Sequence, residues 1–386
     1  MKSKYDWLIV GGGIFGATFA YEMMQAGKSV LVVDRRDKMG GNVRCEKLNG
    51  VVVHKYGAHI FHTNSKERWD FVNSRVKLTP ILHSPMAHTE DGWMLTLPFC
   101  MRTFNALWPE IITPKQAFEK ITEQTKEWIK KYPNPTTLEQ KALTLVGEDI
   151  YNALIKGYTQ KQWNMPCDQL PAEIITRIPV RFTWDSSYFF VPYVGVPEEG
   201  YNPLIESLLD GADLITGTDY LKEKKDFDGL ASKVLFTGCI DEYYGHSLGR
   251  LGYRSLRFDT KIEPLEDTQG CSVVNYTGLN VPYTRCIEHN QFAPKRYYEE
   301  VIKSYEYPAD YTDNAEPYYP IVNEENRRLY KLYAGLEGQK TGVYFGGRLG
   351  LYEYMDMDNA IDRAQKMARM LLSGEKSPSK TFLVHE

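Results

Sequence analysis

The first hydrophobic stretch of the chain is short and leads directly into glycine. Leu8–Val10 is apolar, and the following segment Gly11–Gly16 has the spacing G-x-G-x-x-G. Residues 14–26 then predict a helix, and residues 29–33 predict a buried parallel strand that ends at Asp34. This order of strand, glycine turn, helix and strand predicts a βαβ unit of the kind that binds a dinucleotide.

Each glycine of this turn has its own expected task. Gly11 permits the tight turn, Gly13 lets the backbone approach a pyrophosphate, and Gly16 lets the helix lie against the strand. Asp34 lies eighteen residues beyond Gly16, where a carboxylate that binds a ribose hydroxyl is expected. A glycine turn in an unrelated α/β fold is the alternative, but the complete βαβ pattern favours the cofactor.

Helix-like and strand-like stretches alternate over the remaining chain. Residues 103–162 predict helices interrupted by prolines, which indicates an inserted α-helical domain. The apolar run Lys233–Gly238 predicts a strand that returns the chain to the first sheet, so the first domain is discontinuous in sequence. The pattern also predicts a strand at Thr96–Phe99, β-like runs within 253–288, a strand and glycine turn at 343–350, and helices at 65–76, 202–209 and 358–372.

Composition narrows the class of protein further. With 386 residues, of which 42% are hydrophobic, the chain is long enough for two or three domains with their own cores. Its 46 lysines and arginines oppose 50 acidic residues, and the net charge of -4 excludes a whole-chain attraction to nucleic acid or to an anionic membrane. Any anionic ligand must therefore be held by individual basic side chains.

The cysteines and the N-terminus predict a cellular compartment. The six cysteines are scattered without a C-x-x-C pair, so we expect free thiols in a reducing compartment and no metal site. The chain begins without a signal-peptide pattern, and no apolar run approaches about 18 residues. The expectation is a cytoplasmic, soluble protein that has neither a membrane nor a nucleic acid as a partner.

Residues that suit a flavin follow the βαβ unit. A second glycine turn contains Arg36, Gly41 and Asn42, and a short strand follows it in place of a regular βα repeat, which favours FAD over NAD. His59 and His62 have a spacing that metal ligands can have. Because no carboxylate or thiol is near them in sequence, a loop that faces the cofactor is the favoured interpretation.

Two arginines are the candidates for binding phosphate. Arg177 precedes Pro179, which predicts extended or loop backbone, and Arg285 ends the segment Val281–Arg285. Surface salt bridges are the alternative use of both. The segment Gly157–Trp163 joins a glycine to a lysine, a tyrosine and a tryptophan, which suits an aromatic ring and a phosphate, although helix capping would also use the glycine.

Taken together, these segments closely resemble the UDP-galactopyranose mutase family of the bacterial type. The resemblance covers nearly the whole chain and is far more specific than the glycine turn alone. The segments that carry it are Gly11–Gly16, Asp34–Asn42, Tyr56–Thr63, Gly157–Trp163, Arg177–Phe182, Val281–Arg285, Pro317–Pro320 and Gly347–Asp358.

The resemblance implies an α/β fold with three domains in a homodimer. A Rossmann-like FAD-binding domain would take residues 1–78, 202–246 and 322–386. An inserted α-helical domain with a mobile substrate loop would take residues 99–181. A six-stranded antiparallel β-sheet domain would take residues 79–98, 182–201 and 247–321.

The resemblance also implies an activity. The family consists of isomerases that interconvert UDP-galactopyranose and UDP-galactofuranose by nucleophilic catalysis through N5 of reduced FAD, without net redox change. An external reductant such as NAD(P)H would be needed to reduce the flavin. The nucleotide sugar would be the partner, and the furanose product would serve the biosynthesis of cell-surface polysaccharide.

The same resemblance implies roles for individual residues. Arg177 and Arg285 would clamp the diphosphate, and His59 and His62 would line the face of the flavin; these four are the catalytic candidates. The residues that would bind the cofactor are Gly11, Gly13, Ile14, Phe15, Gly16, Asp34, Arg36, Gly41, Asn42, Tyr56, Gly57, His59, Ile60, Gly238, Gly347, Arg348, Tyr354, Asp356 and Met357. The residues that would bind the substrate are Tyr158, Thr159, Trp163, Arg177, Tyr188, Asn275, Arg285, Tyr319, Tyr354 and His83.

Departures from the family pattern leave the substrate open. His83 stands where an Asn near the sugar is usual, Cys100 stands in place of Asn, and Asn164 stands in place of Gly. A mutase for dTDP-fucopyranose or UDP-N-acetylgalactosamine is therefore the alternative to UDP-galactopyranose. Two other classes are a flavin oxidase of the amine-oxidase type, for which two ligand-facing arginines are unsuited, and a cofactor-binding protein without catalysis.

Overall fold

The computed structural model describes residues 4–177, 180–227, 229–293, 297–312, 315–337 and 342–374. The strands are β1 Tyr5–Val10, β2 Val30–Asp34, β3 Cys45–Leu48, β4 Val51–His54, β5 Phe61–Thr63, β6 Leu78–Pro80, β7 Met86–His88, β8 Met94–Thr96, β9 Tyr193–Pro197, β10 Asp213–Thr216, β11 Ala231–Phe236, β12 Tyr253–Pro264, β13 Val273–Tyr276, β14 Arg285–Glu288, β15 Glu300–Asp310, β16 Tyr319–Pro320 and β17 Val343–Phe345.

The helices connect and cover these strands. The α-helices are α1 Ile14–Gln25, α2 Lys66–Asn73, α3 Met101–Leu107, α4 Pro114–Lys131, α5 Leu138–Ile150, α6 Gly157–Trp163, α7 Asn202–Leu209, α8 Lys224–Phe227, α9 Ile240–Tyr243, α10 Glu324–Glu337, α11 Gly347–Gly350 and α12 Met357–Ser373. A π-helix, Tyr151–Lys156, joins α5 to α6, and 3-10 turns lie at Gly41–Val43, Ala172–Arg177, Leu265–Asp267 and His289–Phe292.

A five-stranded parallel sheet contains the predicted βαβ unit. Its strand order is β10-β2-β1-β11-β17, so β11 and β17 return late in the chain to the sheet that β1 and β2 begin. The close approach of α1 to β1 requires glycine, because a Cβ on Gly16 would lie 2.0 Å from the carbonyl oxygen of Gly11. The predicted α/β fold class with a Rossmann-like domain is confirmed.

A second sheet of seven strands has the order β16-β12-β15-β14-β13-β7-β8. The expectation of six antiparallel strands is wrong in two respects, since the sheet has seven strands and β7 pairs with β13 in parallel. The helices α3 to α6 lie between β8 and β13 in sequence. Because no hairpin turn joins β7 to β13, no turn dictates an antiparallel direction for that pair. The domain boundaries stay a prediction.

Prolines shape the helical segment and the strand before it. Pro114 occupies the first turn of α4 behind the N-cap Thr113, whose side chain accepts from the backbone N–H of Gln116. The predicted strand Thr96–Phe99 is mostly wrong, because β8 ends at Thr96. Pro98 follows closely and has no N–H with which to extend the ladder.

Two further properties concern the length of the helices and the state of the cysteines. Within the described part of the chain, no helix is both long enough and apolar enough to cross a membrane. All six cysteines are free thiols, and Cys271 alone among them is not fully buried.

Candidate active site

A cavity of about 540 Å³ lies where the carboxyl ends of the parallel strands meet the seven-stranded sheet. Of the residues predicted for the site, all those whose side chains the structure describes line it, except Thr159 and Trp163. The lining residues are Gly11, Gly13, Ile14, Phe15, Gly16, Asp34, Arg36, Gly41, Asn42, Tyr56, Gly57, His59, Ile60, His62, His83, Tyr158, Tyr188, Gly238, Asn275, Arg285, Tyr319, Gly347, Arg348, Tyr354, Asp356 and Met357.

The two exceptions lie on α6, and a third predicted residue, Arg177, is described only in part. Thr159 is buried on α6, and Trp163 packs against the core of the helical segment. Arg177 was expected in extended or loop backbone, but its backbone ends the 3-10 turn Ala172–Arg177. The side chain of Arg177 and residues 178–179 lie outside the described residues, so its contact with a diphosphate stays a prediction.

One end of the cavity is built from the first glycine turn. The backbone N–H of Gly12 donates to Oδ2 of Asp34 at 2.7 Å, and the N–H of Arg36 donates to Oδ1 at 2.9 Å. The buried carboxylate therefore fixes the turn as well as facing the cavity. Gly11 has φ +105°, and a Cβ there would lie 2.0 Å from Oγ1 of Thr237, so a side chain at this position would be both strained and obstructed.

The same end has unsatisfied donors for an anion. The N-cap of α1 is Gly13, which has no side chain to accept from the first N–H groups of the helix. Nη1 of Arg36 is buried without a hydrogen-bond partner, although Nη2 donates to Asn42 at 3.1 Å and to Glu316 at 3.0 Å. The free N–H groups of the helix and the unpartnered Nη1 of Arg36 lie in the same cavity and fit the pyrophosphate of a dinucleotide such as FAD.

Arg285 lines the cavity from the seven-stranded sheet, and it is paired with a carboxylate. Its Nη2 donates to Oε2 of Glu306 at 2.6 Å, and its Nε lies 3.1 Å from both carboxylate oxygens. Burial opposes the charge of Arg285, but Glu306 outweighs it and holds the pKa of Arg285 well above its usual value. Of the five N–H donors of the guanidinium, those of Nη1 make no hydrogen bond to Glu306.

Tyrosines surround this guanidinium. Tyr158, Tyr188, Tyr319 and Tyr354 all line the cavity. Burial raises the pKa of Tyr158 to about 12, so its hydroxyl stays protonated and can donate. Arg348 lies with its guanidinium carbon 4.7 Å from the ring centre of Tyr354 and 5.8 Å from that of Tyr319. These contacts place two hydroxyl-bearing rings beside each other.

Three histidines line the cavity, and two of them are neutral. Burial lowers the pKa of His59 and of His83 to about 4. Nδ1 of His59 lies 2.7 Å from the carbonyl oxygen of Gly57. A carbonyl oxygen can only accept, so the proton of His59 is on Nδ1 and Nε2 is left as an acceptor.

His62 has the opposite electrostatic environment. Its Nδ1 lies 3.1 Å from the carbonyl oxygen of Ile60, and its Nε2 lies 3.6 Å from Oδ2 of Asp356. Burial lowers the pKa of His62, but the carboxylate of Asp356 and the Ile60 carbonyl outweigh burial, and the net shift is upward. The separation from Asp356 exceeds a direct hydrogen bond, so we treat the pair as a Coulombic attraction. His62 is thus the cavity histidine that can carry a proton near neutral pH.

An aromatic wall that the sequence did not indicate separates the histidines. The ring of Phe189 stacks on His62, with 3.8 Å between ring centres, and lies 5.6 Å from the ring of His83. His83 is 8% exposed, and its Nδ1 lies 3.1 Å from Oγ of Ser272. The wall presents flat apolar surface to the cavity between imidazoles of different charge.

Other functional neighbours were also missed. Glu306 is fully buried, and Tyr201 links the loop of His59 to β5 by accepting from the N–H of Phe61 and donating to the His59 carbonyl, both at 3.1 Å. His54 accepts from the N–H of His59 at 3.0 Å. The available signal for Glu306 was its place between Tyr305 and Tyr307 in one strand. The pattern offered none for the role of Tyr201.

The three departures that left the substrate open do not lie together. His83 lines the cavity. Cys100 is fully buried at the N-cap of α3, and Asn164 ends α6 with φ +51°, a conformation that Asn tolerates in place of Gly. Of the three departures, His83 is therefore the one that can affect the choice of substrate directly, because Cys100 and Asn164 do not line the cavity.

The described residues contain no group of three or more His, Cys, Asp or Glu side chains that could hold a metal ion. His59 and His62 each direct Nδ1 to a backbone carbonyl. The donors of the cavity are arranged for an anionic and aromatic ligand.

Comparisons with known proteins agree with this arrangement. Residues 153–354 match the profile of a family described as UDP-galactopyranose mutase, and residues 9–74 match an NAD(P)-binding Rossmann-like domain. A probable UDP-galactopyranose mutase of Klebsiella pneumoniae is 37% identical over 371 residues, 95% of this chain and 94% of the relative. The dTDP-fucopyranose mutase of Escherichia coli is 32% identical over 376 residues, which cover 96% and 99% of the two chains.

A solved structure extends the likeness to the fold. The crystal structure of a reduced UDP-galactopyranose mutase matches with a TM-score of 0.75 and 12% identity, covering 97% of this chain and 95% of that one. At this identity the structural match supports the fold alone, whereas the two sequence relatives cover nearly the whole chain.

Proposed function

Because the chain belongs to the UDP-galactopyranose mutase family, a family of isomerases, we propose that it interconverts UDP-galactopyranose and UDP-galactofuranose. The observation that carries the proposal is Arg285, a partly buried guanidinium whose Nη1 does not bond to Glu306 and which lies with tyrosines in the same cavity as the dinucleotide turn. The alternative is dTDP-fucopyranose, which the relative from Escherichia coli names. Homodimer formation and a cytoplasmic location stay predictions.

The flavin-binding fold indicates a flavoenzyme, and we propose FAD as the cofactor. Reduced FAD would supply the nucleophile for the anomeric carbon of the sugar. The N–H groups at the start of α1 and Nη1 of Arg36 would hold its pyrophosphate. Asp34 would accept from a ribose hydroxyl through lone pairs that the two backbone N–H groups leave free.

The diphosphate would be bound at Arg285. Breakage of the bond to the anomeric carbon places additional negative charge on the departing diphosphate, and donors already fixed in position stabilise that charge best. Glu306 orients the guanidinium through Nε and Nη2, which leaves Nη1 directed away from the carboxylate. The hydroxyl groups of Tyr188, Tyr319 and Tyr354 would donate to the diphosphate, and the ring of Tyr158 would stack on the uracil of the nucleoside.

Protons would move at His62 and His59. Opening of the sugar ring needs a proton at the ring oxygen, and closure of the five-membered ring releases one from the 4-hydroxyl. His62 can carry that proton because Asp356 raises its pKa, while the neutral His59 can accept a hydrogen bond at Nε2. Phe189, which stacks on His62, would shield this side of the cavity from water.

Substrate identity is tested by comparing kcat/KM of the reduced enzyme for UDP-galactose, UDP-N-acetylgalactosamine and dTDP-fucose, assayed from the furanose side. We expect UDP-galactose to be preferred by about a thousandfold over the 6-deoxy sugar, because a site built to bind a hydroxyl strongly rejects an analogue without it. A preference for dTDP-fucose would replace the substrate while keeping the mechanism. His83→Asn is the matched variant, since His83 is the residue that both differs from the family pattern and lines the cavity.

The His62–Asp356 pair predicts a specific dependence of stability on pH. The pKa of His62 is raised above its ordinary 6.5, so the stabilisation is complete below pH 6.5 and is lost as pH rises through the raised pKa. At the acid end, it is lost as pH falls through the lowered pKa of Asp356, below 3.8. We expect the melting temperature of His62→Gln to lie about 1–3 °C below that of wild type near pH 5.5, and the gap to close at alkaline pH.

His83→Gln is the control for this experiment, because the pKa of His83 is shifted down to about 4. Wild type must keep His83 neutral, so its stability relative to His83→Gln decreases as pH falls below 6.5, which is the opposite dependence. Equal pH profiles for wild type and His62→Gln would show that Asp356 does not influence His62.

A further inference from the structure

A lysine outside the cavity joins the helix of Tyr158 to the hairpin of Arg285. Lys161 follows Tyr158 by three residues on α6, so the two side chains lie on the same side of the helix. Its Nζ donates to three carbonyl oxygens, at 2.7 Å to Tyr276, 2.9 Å to Tyr283 and 3.2 Å to Val281. An ammonium group has three hydrogens, and each has an acceptor here.

The three carbonyls belong to the end of β13 and the connection from β13 to β14. Asn275 and Arg285 are paired directly across the last position of that ladder, and both line the cavity. The connection held by Lys161 therefore begins and ends at two residues proposed to bind the nucleotide sugar. A shift of this connection relative to α6 would move Arg285 relative to Tyr158.

Two further contacts hold the connection against the π-helix and α6. Oγ1 of Thr277 donates to the carbonyl oxygen of Ala153 in the π-helix at 2.7 Å. A Cβ on Gly157 would lie 2.2 Å from the carbonyl oxygen of Thr277, so the helix and the connection touch through their main chains. π-helical turns of this kind are frequent at functional sites.

The ammonium group of Lys161 is stabilised by these three carbonyl oxygens. Burial lowers the pKa of Lys161 to about 8, and the charge of Glu90 offsets only part of that shift. A partly buried ammonium is costly unless its hydrogens are all satisfied. The three carbonyl dipoles supply that compensation, and a neutral side chain of similar length would leave them without a donor.

We propose that Lys161 is a positioning residue that fixes the separation between Tyr158 and Arg285, so that the nucleoside and the diphosphate of one ligand bind as a unit. The proposal rests on the proposed nucleotide-sugar site. A rigid joint between two half-sites favours a ligand that fills both, but it gives no advantage to a ligand that fills only one.

Binding of UDP, uridine and inorganic pyrophosphate to the FAD-loaded enzyme tests this assignment. For Lys161→Met we expect the Kd of UDP to rise about tenfold, while the Kd values of uridine and of pyrophosphate each change less than about twofold. Retained FAD content and KM against kcat are measured in parallel. We expect the KM for the nucleotide sugar to rise, and kcat to change less than KM.

Lys156→Met is the matched control, because Lys156 is exposed in the adjoining π-helix and the same charge is removed there. Lys161→Arg should recover most of the UDP affinity, since it keeps cationic donors. Equal weakening of all three ligands, or unchanged UDP binding, would overturn the proposal. If Lys161→Met does not fold, Lys161→Gln serves the same comparison. Wild type that fails to bind UDP would instead refute the proposed function.

Discussion

Arg285→Ala is expected to lower kcat/KM by about ten- to several hundredfold without loss of flavin, as for removal of one charge-assisted contact to the departing diphosphate. The variant is also expected to unfold more easily. Its partner Glu306 is completely buried, and breaking a buried pair by removing one member typically costs about 3–5 kcal/mol. Steady-state kinetics of the reduced enzyme, its flavin absorbance and its melting temperature measure the three quantities.

The double variant Arg285→Ala/Glu306→Gln separates the two effects. Removing the charge of Glu306 relieves the cost of an unpaired buried carboxylate, so stability should largely return while kcat/KM stays low. If activity returned together with stability, Arg285 would act through the fold and the diphosphate contact would be refuted. Glu306→Gln alone should retain part of the activity, because an amide oxygen can still accept from Arg285.

Strictly oxidised enzyme is expected to show no turnover, and reduction should restore it completely. The reason is that the proposed nucleophile is the reduced form of FAD, whereas the reaction itself has no net change in redox state. Yellow, FAD-containing protein is assayed anaerobically with UDP-galactofuranose before and after dithionite, and again with NADPH as the external reductant.

Electron counting provides the control for this experiment. The reductant should be consumed once per flavin and not once per product, because the flavin is regenerated in each cycle. Consumption of NADPH in proportion to product would indicate an oxidoreductase. Sustained turnover without any reduction would exclude the flavin from the chemistry and leave it a structural role.

The position of Arg285 illustrates what sequence patterns predict and where they stop. Its candidacy for phosphate came from a local segment, and the structure places it in the cavity. Glu306 lies directly opposite Arg285 in the β14–β15 ladder, twenty-one residues further along the chain. Strand register depends on the whole sheet, so no local spacing indicated this pairing.

The departures at His83, Cys100 and Asn164 make the same distinction. In sequence they are three equivalent differences, whereas in the structure one lines the cavity and the other two cap helices. Which of the three positions reaches the cavity depends on which segments of the chain line it, and tertiary packing determines that. The seventh strand and the parallel β7–β13 pair could likewise not be predicted from the sequence, because no hairpin turn joins those strands.

Periodicity and short, fixed spacings along the chain were enough to predict the βαβ unit, the glycine turn with Asp34 and the family. They could not predict that Glu306 holds Arg285, that Asp356 raises the pKa of His62, or that Lys161 joins α6 to the β13–β14 connection. Burial, charge pairing and orientation depend on neighbours that are distant in sequence, and these neighbours become defined when the sheets and helices pack.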